Sequence, residues 1–228
     1  MNMSTPELKN SFPSPPPSQQ KVDEFVAAAK DGNQGAVAAF LGQYAAALNQ
    51  RSSNGYTALN RAAAAGQDAI VELLLAKGAA IDERDKWNWT PLTHAAQAGR
   101  TSTVALLLEK GAQIGATAQE GWTALMWAAR MGNTETARFL LEKGADIGAV
   151  NDRGKTALML ARDGGQSDAA ETIELLEQWP ELQRQRQEQE RKNKARELAE
   201  IKAGELNAER LEKLKSRRPQ KPPLKKKR

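Results

Sequence analysis

Four short stretches decide the reading of this chain: Tyr56-Thr57-Ala58-Leu59, Trp89-Thr90-Pro91-Leu92, Trp122-Thr123-Ala124-Leu125 and Lys155-Thr156-Ala157-Leu158, each 33 residues from the next. Gly66, Gly99, Gly132 and Gly165 recur at the same step, as do the pairs Lys77-Gly78, Lys110-Gly111 and Lys143-Gly144. A constant period of this length signals a stacked array, in which each unit has an apolar face that only its neighbour can cover.

The residues of one period predict its shape. Each threonine stands where a hydroxyl can serve the free amides of a helix start. It is followed by Leu and by small residues such as Ala62 to Ala65, which let neighbouring helices approach closely. After the glycine a second helix is expected, begun by Asp68, Ser102, Thr134 or Ser167 and carrying Val71, Leu74 and Leu75 or their equivalents. It should end at the Lys-Gly pair, with the lysine facing the negative helix end and the glycine in a left-handed cap.

This period with a T-P-L-like start resembles the ankyrin repeat, over roughly residues 21 to 179. The resemblance implies an all-α solenoid of helix-turn-helix units with β-turn hairpin loops, followed here by a charged C-terminal helix. The expected units are a capping repeat at 21–53, then 54–86, 87–119, 120–152 and 153–179. The first unit places Lys30 and Asp31 where later units are mostly apolar or small, and the last carries Arg162, Asp163, Glu171 and Glu174. Both read as polar ends of the array. The family's usual histidine after Pro-Leu is replaced by Asn60, Thr93, Met126 and Met159, so its inter-repeat hydrogen bonding is not expected in the usual form.

Outside the array the composition changes. Half of the ten prolines lie in the first 17 residues, and residues 1–20 are expected to be a disordered Pro/Ser-rich segment. The Pro13 to Pro17 run formally contains P-x-x-P and reads better as a spacer. Residues 181–228 hold 17 Lys/Arg and 8 Asp/Glu, or +9, which leaves −4 for the first 180 residues out of a total of +5. Residues 180–214 read as a charged helix with i to i+4 pairs such as Glu188–Lys192, Glu190–Lys194 and Glu209–Lys213. Its thin stripe of Leu198, Ile201, Ala208 and Leu211 lacks sustained heptads and is interrupted by Gly204. Both a solvated helix and a self-pairing or partner-binding one fit it. A disordered basic tail is expected at 215–228, with Lys215, Arg217, Arg218, Lys221, Lys225, Lys226, Lys227 and Arg228 and no acid. It suits nucleic-acid phosphates or an anionic surface, or resembles a nuclear-import signal; without an aromatic, any nucleic-acid contact would be sequence-blind.

The composition also narrows the chemistry. With no cysteine there is no disulfide scaffold, thiolate nucleophile or cysteine-ligated zinc, and the single His94 leaves no histidine-based triad or multi-His metal site. His94, at the position of Arg61, Trp127 and Leu160, reads as a packed helix residue, and Trp127 as core. The stretch Gly148 to Thr156 imitates a phosphate-binding loop but has five residues between its glycines instead of four, with no buried strand before it. No enzyme activity and no cofactor are expected. The longest apolar runs fall far short of a membrane helix and the start lacks a signal-peptide core, so a cytosolic protein is expected, with nuclear or secreted effector as alternatives.

The family resemblance implies that hairpin loops and first helices line a concave face that grips a protein partner. Before the threonines stand Tyr56, Trp89, Trp122 and Lys155, flanked at the tips by Lys86 and Trp87, Gln119 and Glu120, Asp152 and Arg153. The outward positions of the first helices are Ala64 and Ala65, Gln97 and Ala98, Arg130 and Met131, Asp163 and Gly164. The candidate partner-binding residues are therefore Tyr56, Lys86, Trp87, Trp89, Trp122, Arg130, Met131, Arg153 and Lys155, presented by a monomeric repeat domain. The aromatic row fits either partner anchoring or cover for its own hairpins. Trp87 points more sharply to a partner, because its equivalents Asn54, Glu120 and Arg153 show that the fold needs no aromatic there.

Overall fold

The computed structural model describes residues 15–164 and 169–216. The described residues form helices joined by tight turns, with one isolated bridge, Thr117–Thr123. Helix α1 (Gln19–Lys30) pairs with α2 (Gln34–Gln43), α3 (Ala58–Ala65) with α4 (Asp68–Ala76), α5 (Pro91–Gln97) with α6 (Thr101–Glu109), and α7 (Ala124–Arg130) with α8 (Thr134–Glu142). Helix α9 (Ala157–Asp163) precedes α10 (Ala169–Ser216). None is long and apolar enough to cross a membrane.

The first helices stack as α1, α3, α5, α7 and α9, and the second helices α2, α4, α6 and α8 form a row beside them. Side-chain size explains the closeness of the first row. Ala29, Ala62, Ala95, Ala128 and Ala161, each 33 residues from the next, are all fully buried. In the second row Leu41, Leu74, Leu107 and Leu140 occupy the equivalent buried position. Thr57, Thr90, Thr123 and Thr156 each accept a hydrogen bond from the amide three residues on, as the sequence predicts, and Pro91 begins α5 where no amide donor is needed. Lys77, Lys110 and Lys143 cap the second helices, and the glycines after them take positive φ.

Helices α4 and α8 begin at Asp68 and Thr134, as expected. Helix α6 begins at Thr101 rather than Ser102, and Ser167 lies outside the described residues. The residues preceding α4, α6 and α8 are Gln67, Arg100 and Asn133, which make no side-chain cap bond. Their side chains reach back to the preceding unit instead. Gln67 donates to the Lys30 carbonyl, Arg100 to that of Ala64, and Asn133 to those of Ala96 and Gln97. The capping position is used to staple adjacent repeats through carbonyls at the ends of the first helices.

At the missing family histidine, Asn60 still bridges forward, donating to the Glu83 and Trp89 carbonyls, whereas Thr93 bonds back to Thr90 and the Met126 sulfur accepts the Thr123 amide. Arg51 donates to the Arg84 carbonyl, and Arg84 in turn to that of Thr117, one repeat on. The inter-repeat bonds are present, on other residues.

The hairpins close by one repeated bond: Ser52, Asp85, Ala118 and Asn151 each donate an amide to the carbonyl four residues on. The tip position is Gly55, Asn88, Gly121 and Gly154, all at positive φ. A Cβ on Gly55 would lie 2.1 Å from the Lys86 side chain, so glycine there also lets the next tip approach. Asn88, at φ 67°, tolerates the left-handed region better than most residues. Asn88→Val is expected to lower the unfolding free energy by about 1 to 2 kcal/mol in urea titration, with Asn88→Gly at or above the parent.

At the amino end Phe25 and Phe40 stack at 4.2 Å and Lys21 donates to the Tyr44 hydroxyl, while Lys30 and Asp31 are exposed as expected of a polar end. Helix α1 starts at Gln19 with Ser18 as its cap, two residues before the expected start of the array at residue 21. The second helix of the last unit and the charged helix are one element, α10, which passes through Pro180 and Gly204 and includes Lys215. Gly204 thins the apolar stripe without ending the helix. Compact units divide within α10, as Met1–Glu177 and Gln178–Arg228. In the second, Lys192–Glu188 and Lys213–Glu209 are paired at 2.7 Å, and Leu198, Ile201 and Leu211 are exposed. Residues 1–14 and the tail residues Arg217, Arg218, Lys221, Lys225, Lys226, Lys227 and Arg228 lie outside the described residues.

Candidate functional site

Hairpin tips and first helices line the candidate surface together, and one carboxylate ties a tip to its own first helix. Asp85 Oδ1 accepts the amides of Trp87 and Trp89, both at 2.9 Å, which folds the tip over its own side chain. Asp85 Oδ2 accepts from His94 Nε2 at 2.8 Å. Burial pushes the Asp85 carboxyl up, but the His94 hydrogen bond, the Trp89 amide, the His94 charge and the Trp87 amide together hold it below the usual carboxylate range. Asn151 closes its own tip in the same way, its Oδ1 accepting the amides of Arg153 and Lys155. The phosphate-loop imitation is therefore a repeat hairpin. Ala118 offers no such acceptor, and its tip is a short 3-10 turn at Gln119–Gly121.

From this anchor an unbroken run of rings crosses three repeats. Trp87 lies 4.8 Å from Tyr56, Tyr56 5.8 Å from His94, and His94 5.0 Å from Trp89. Trp89 and Trp122 each lie 4.3 Å from Trp127, which stands between them. Cations lie over three of the rings: Lys86 over Trp87 at 4.2 Å, Arg61 over Tyr56 at 4.8 Å and Arg130 over Trp122 at 5.6 Å. Two hollows share Trp89 and Gln119. One, of about 380 Å³, includes Tyr56, Arg61, Trp87 and His94 in its lining; the other, of about 480 Å³, includes Trp122, Trp127, Arg130, Met131 and Arg153.

Most of the sequence candidates thus meet along one groove, at different exposures. Among the rings Trp87 is the most open at 37%, Tyr56 and Trp89 are half-buried, and Trp122 is nearly covered at 9%. Arg153 pairs with Glu120 at 2.9 Å, and Lys155 pairs with Asp163 at 3.1 Å outside the two hollows. Trp127 corrects the core expectation. It is half-buried and joins Trp89 to Trp122, because its position faces the groove, where Arg61 and His94 stand in the earlier units. Asp85 was missed altogether. Its signal was the alignment of Ser52, Asp85 and Asn151, side chains able to accept the tip amides at one repeat position.

The family profile of ankyrin repeats (3 copies) matches residues 25–118 and 113–178. The chain belongs to the ankyrin repeat family, whose domains are as a class non-catalytic modules of protein–protein interaction. Comparison with curated proteins finds no match.

Proposed function

We propose that this chain is a non-catalytic adaptor that holds a protein partner in the concave groove, with Trp87, Trp89 and Trp122 as anchors. The observation that carries the reading is the ring run from Trp87 to Trp122: it is continuous over three repeats and bordered by cations. Trp, Tyr and Arg dominate binding hot spots because they bring large, stiff contact surface with a polar or charged edge. Trp87 contributes most, since it is the most exposed ring and its removal leaves the Asp85 hairpin bonds in place. Trp87→Ala is expected to weaken binding of a partner captured by the full chain by over about 1 kcal/mol in calorimetric titration. Its thermal unfolding midpoint should match the parent. Unaltered affinity would remove Trp87 from the site.

The basic end supports a second contact with an anionic surface or nucleic acid, on its composition alone: eight basic residues and no acid within 215–228. Binding through it falls steeply between low and moderate salt and disappears on truncation at Lys215, whereas binding through the tryptophans persists.

A further inference from the structure

The groove has a charge pattern opposite to that of the array that builds it. Residues 1–180 hold 16 Lys/Arg and 20 Asp/Glu, a net −4. A third hollow, which shares Tyr56 and Arg61 with its neighbour, continues the groove to Asp23 and Lys30. The carboxylates along this path are already engaged. Asp23 accepts the Ser53 amide at 2.6 Å, which with the Gln19 side chain holds it below the usual carboxylate range. Glu120 pairs with Arg153, and Asp85 with His94. Lys30, Arg61, Lys86 and Arg130 meet no carboxylate at ion-pair distance among the described residues. For three of these, a ring supports the cation without neutralising it.

We propose that the groove binds an extended acidic peptide segment, whose Asp or Glu side chains meet Arg61 and Arg130 while an apolar side chain fills the hollow at Trp89, Trp122 and Trp127. This rests on the protein-binding reading and specifies its ligand. Arg61 stands on α3 and Arg130 at the end of α7, two packed helices apart. At about 8 to 10 Å per helix contact, that is on the order of 16 to 20 Å, the reach of five or six extended residues. Gln97 and Gln119 line the path between them, and a primary amide both donates and accepts, as a peptide backbone requires. Single-stranded nucleic acid shares the negative charge but needs open ring faces. Here the Trp89, Trp127 and Trp122 rings, 4.3 Å apart, admit no base between them, and Arg61 and Arg130 already lie over Tyr56 and Trp122.

The test is selection from a random twelve-residue peptide display library on the full chain, with each binder measured again on Arg61→Glu/Arg130→Glu, Arg61→Lys/Arg130→Lys and Trp87→Ala. The expected binders are enriched in Asp and Glu, change tryptophan fluorescence, lose at least tenfold in affinity on charge reversal and largely keep it in the lysine variant. Acidic binders that hold all variants equally sit elsewhere, as on the basic extension, and overturn the proposal. Binders without acidic enrichment that still require Trp87 overturn the acidic class and leave the protein-binding reading standing. If no binder responds to any variant, both readings fall. A twelve-nucleotide oligothymidylate that binds the parent and is lost on charge reversal assigns the groove to nucleic acid and overturns the proposal.

Discussion

Leu107→Ala is expected to lower the unfolding free energy by about 2 to 5 kcal/mol, against a typical total of about 5 to 15. Leu107 is fully buried on α6, which packs between α4 and α8 with Leu74 and Leu140 at the equivalent positions. A cavity there has repeats on both sides and little freedom to collapse, so the transfer and cavity costs add. In a solenoid the loss also weakens two neighbour interfaces at the middle of the array. Urea unfolding measures it, with the half-buried Leu108→Ala as the milder control. A change below about 0.5 kcal/mol at Leu107 would mean that this leucine does not fill the inter-repeat core.

Asp85→Ala is expected to cost about 2 to 4 kcal/mol near neutral pH, because the hydrogen bond to His94 is lost and part-buried donors are left without their acceptor. Two amide bonds to Trp87 and Trp89 disappear with it. The sign of the pH dependence follows from the depressed Asp85 carboxyl. Its stabilisation is present above the unfolded carboxylate value of about 3.9 and is lost as pH falls through the lower folded value. The difference in stability between the parent and Asp85→Asn should therefore shrink as pH drops below about 4. A difference that grew on acidification would contradict a favourable ionised Asp85. Because the same residue sets the Trp87 and Trp89 backbone, Asp85→Ala should also weaken partner binding, unlike Leu107→Ala at a permissive temperature.

Most of the fold was legible in the sequence, because it rests on local chemistry repeated at a fixed step. Threonine hydroxyls start helices, Lys-Gly pairs end them, and alanine and leucine at 33-residue intervals make the two buried rows. Inferences that needed the neighbour's position were weaker. Gln67, Arg100 and Asn133 stand where a helix cap belongs, yet they bond to carbonyls more than 30 residues earlier. Trp127 looked apolar enough for the core and instead completes the groove.

By itself the sequence determined the repeat, its helix pairs and the charge asymmetry between the array and its basic extension, since capping, residue size and net charge are properties of short segments. Only the tertiary structure decided that Tyr56, Trp87, His94, Trp89, Trp127 and Trp122 form one surface, and that its carboxylates are engaged while Arg61 and Arg130 meet no acidic partner among the described residues. The physical reason is stacking. Residues from three hairpins and three helices meet only when successive units pack, so their contacts belong to the assembled face and to no single repeat.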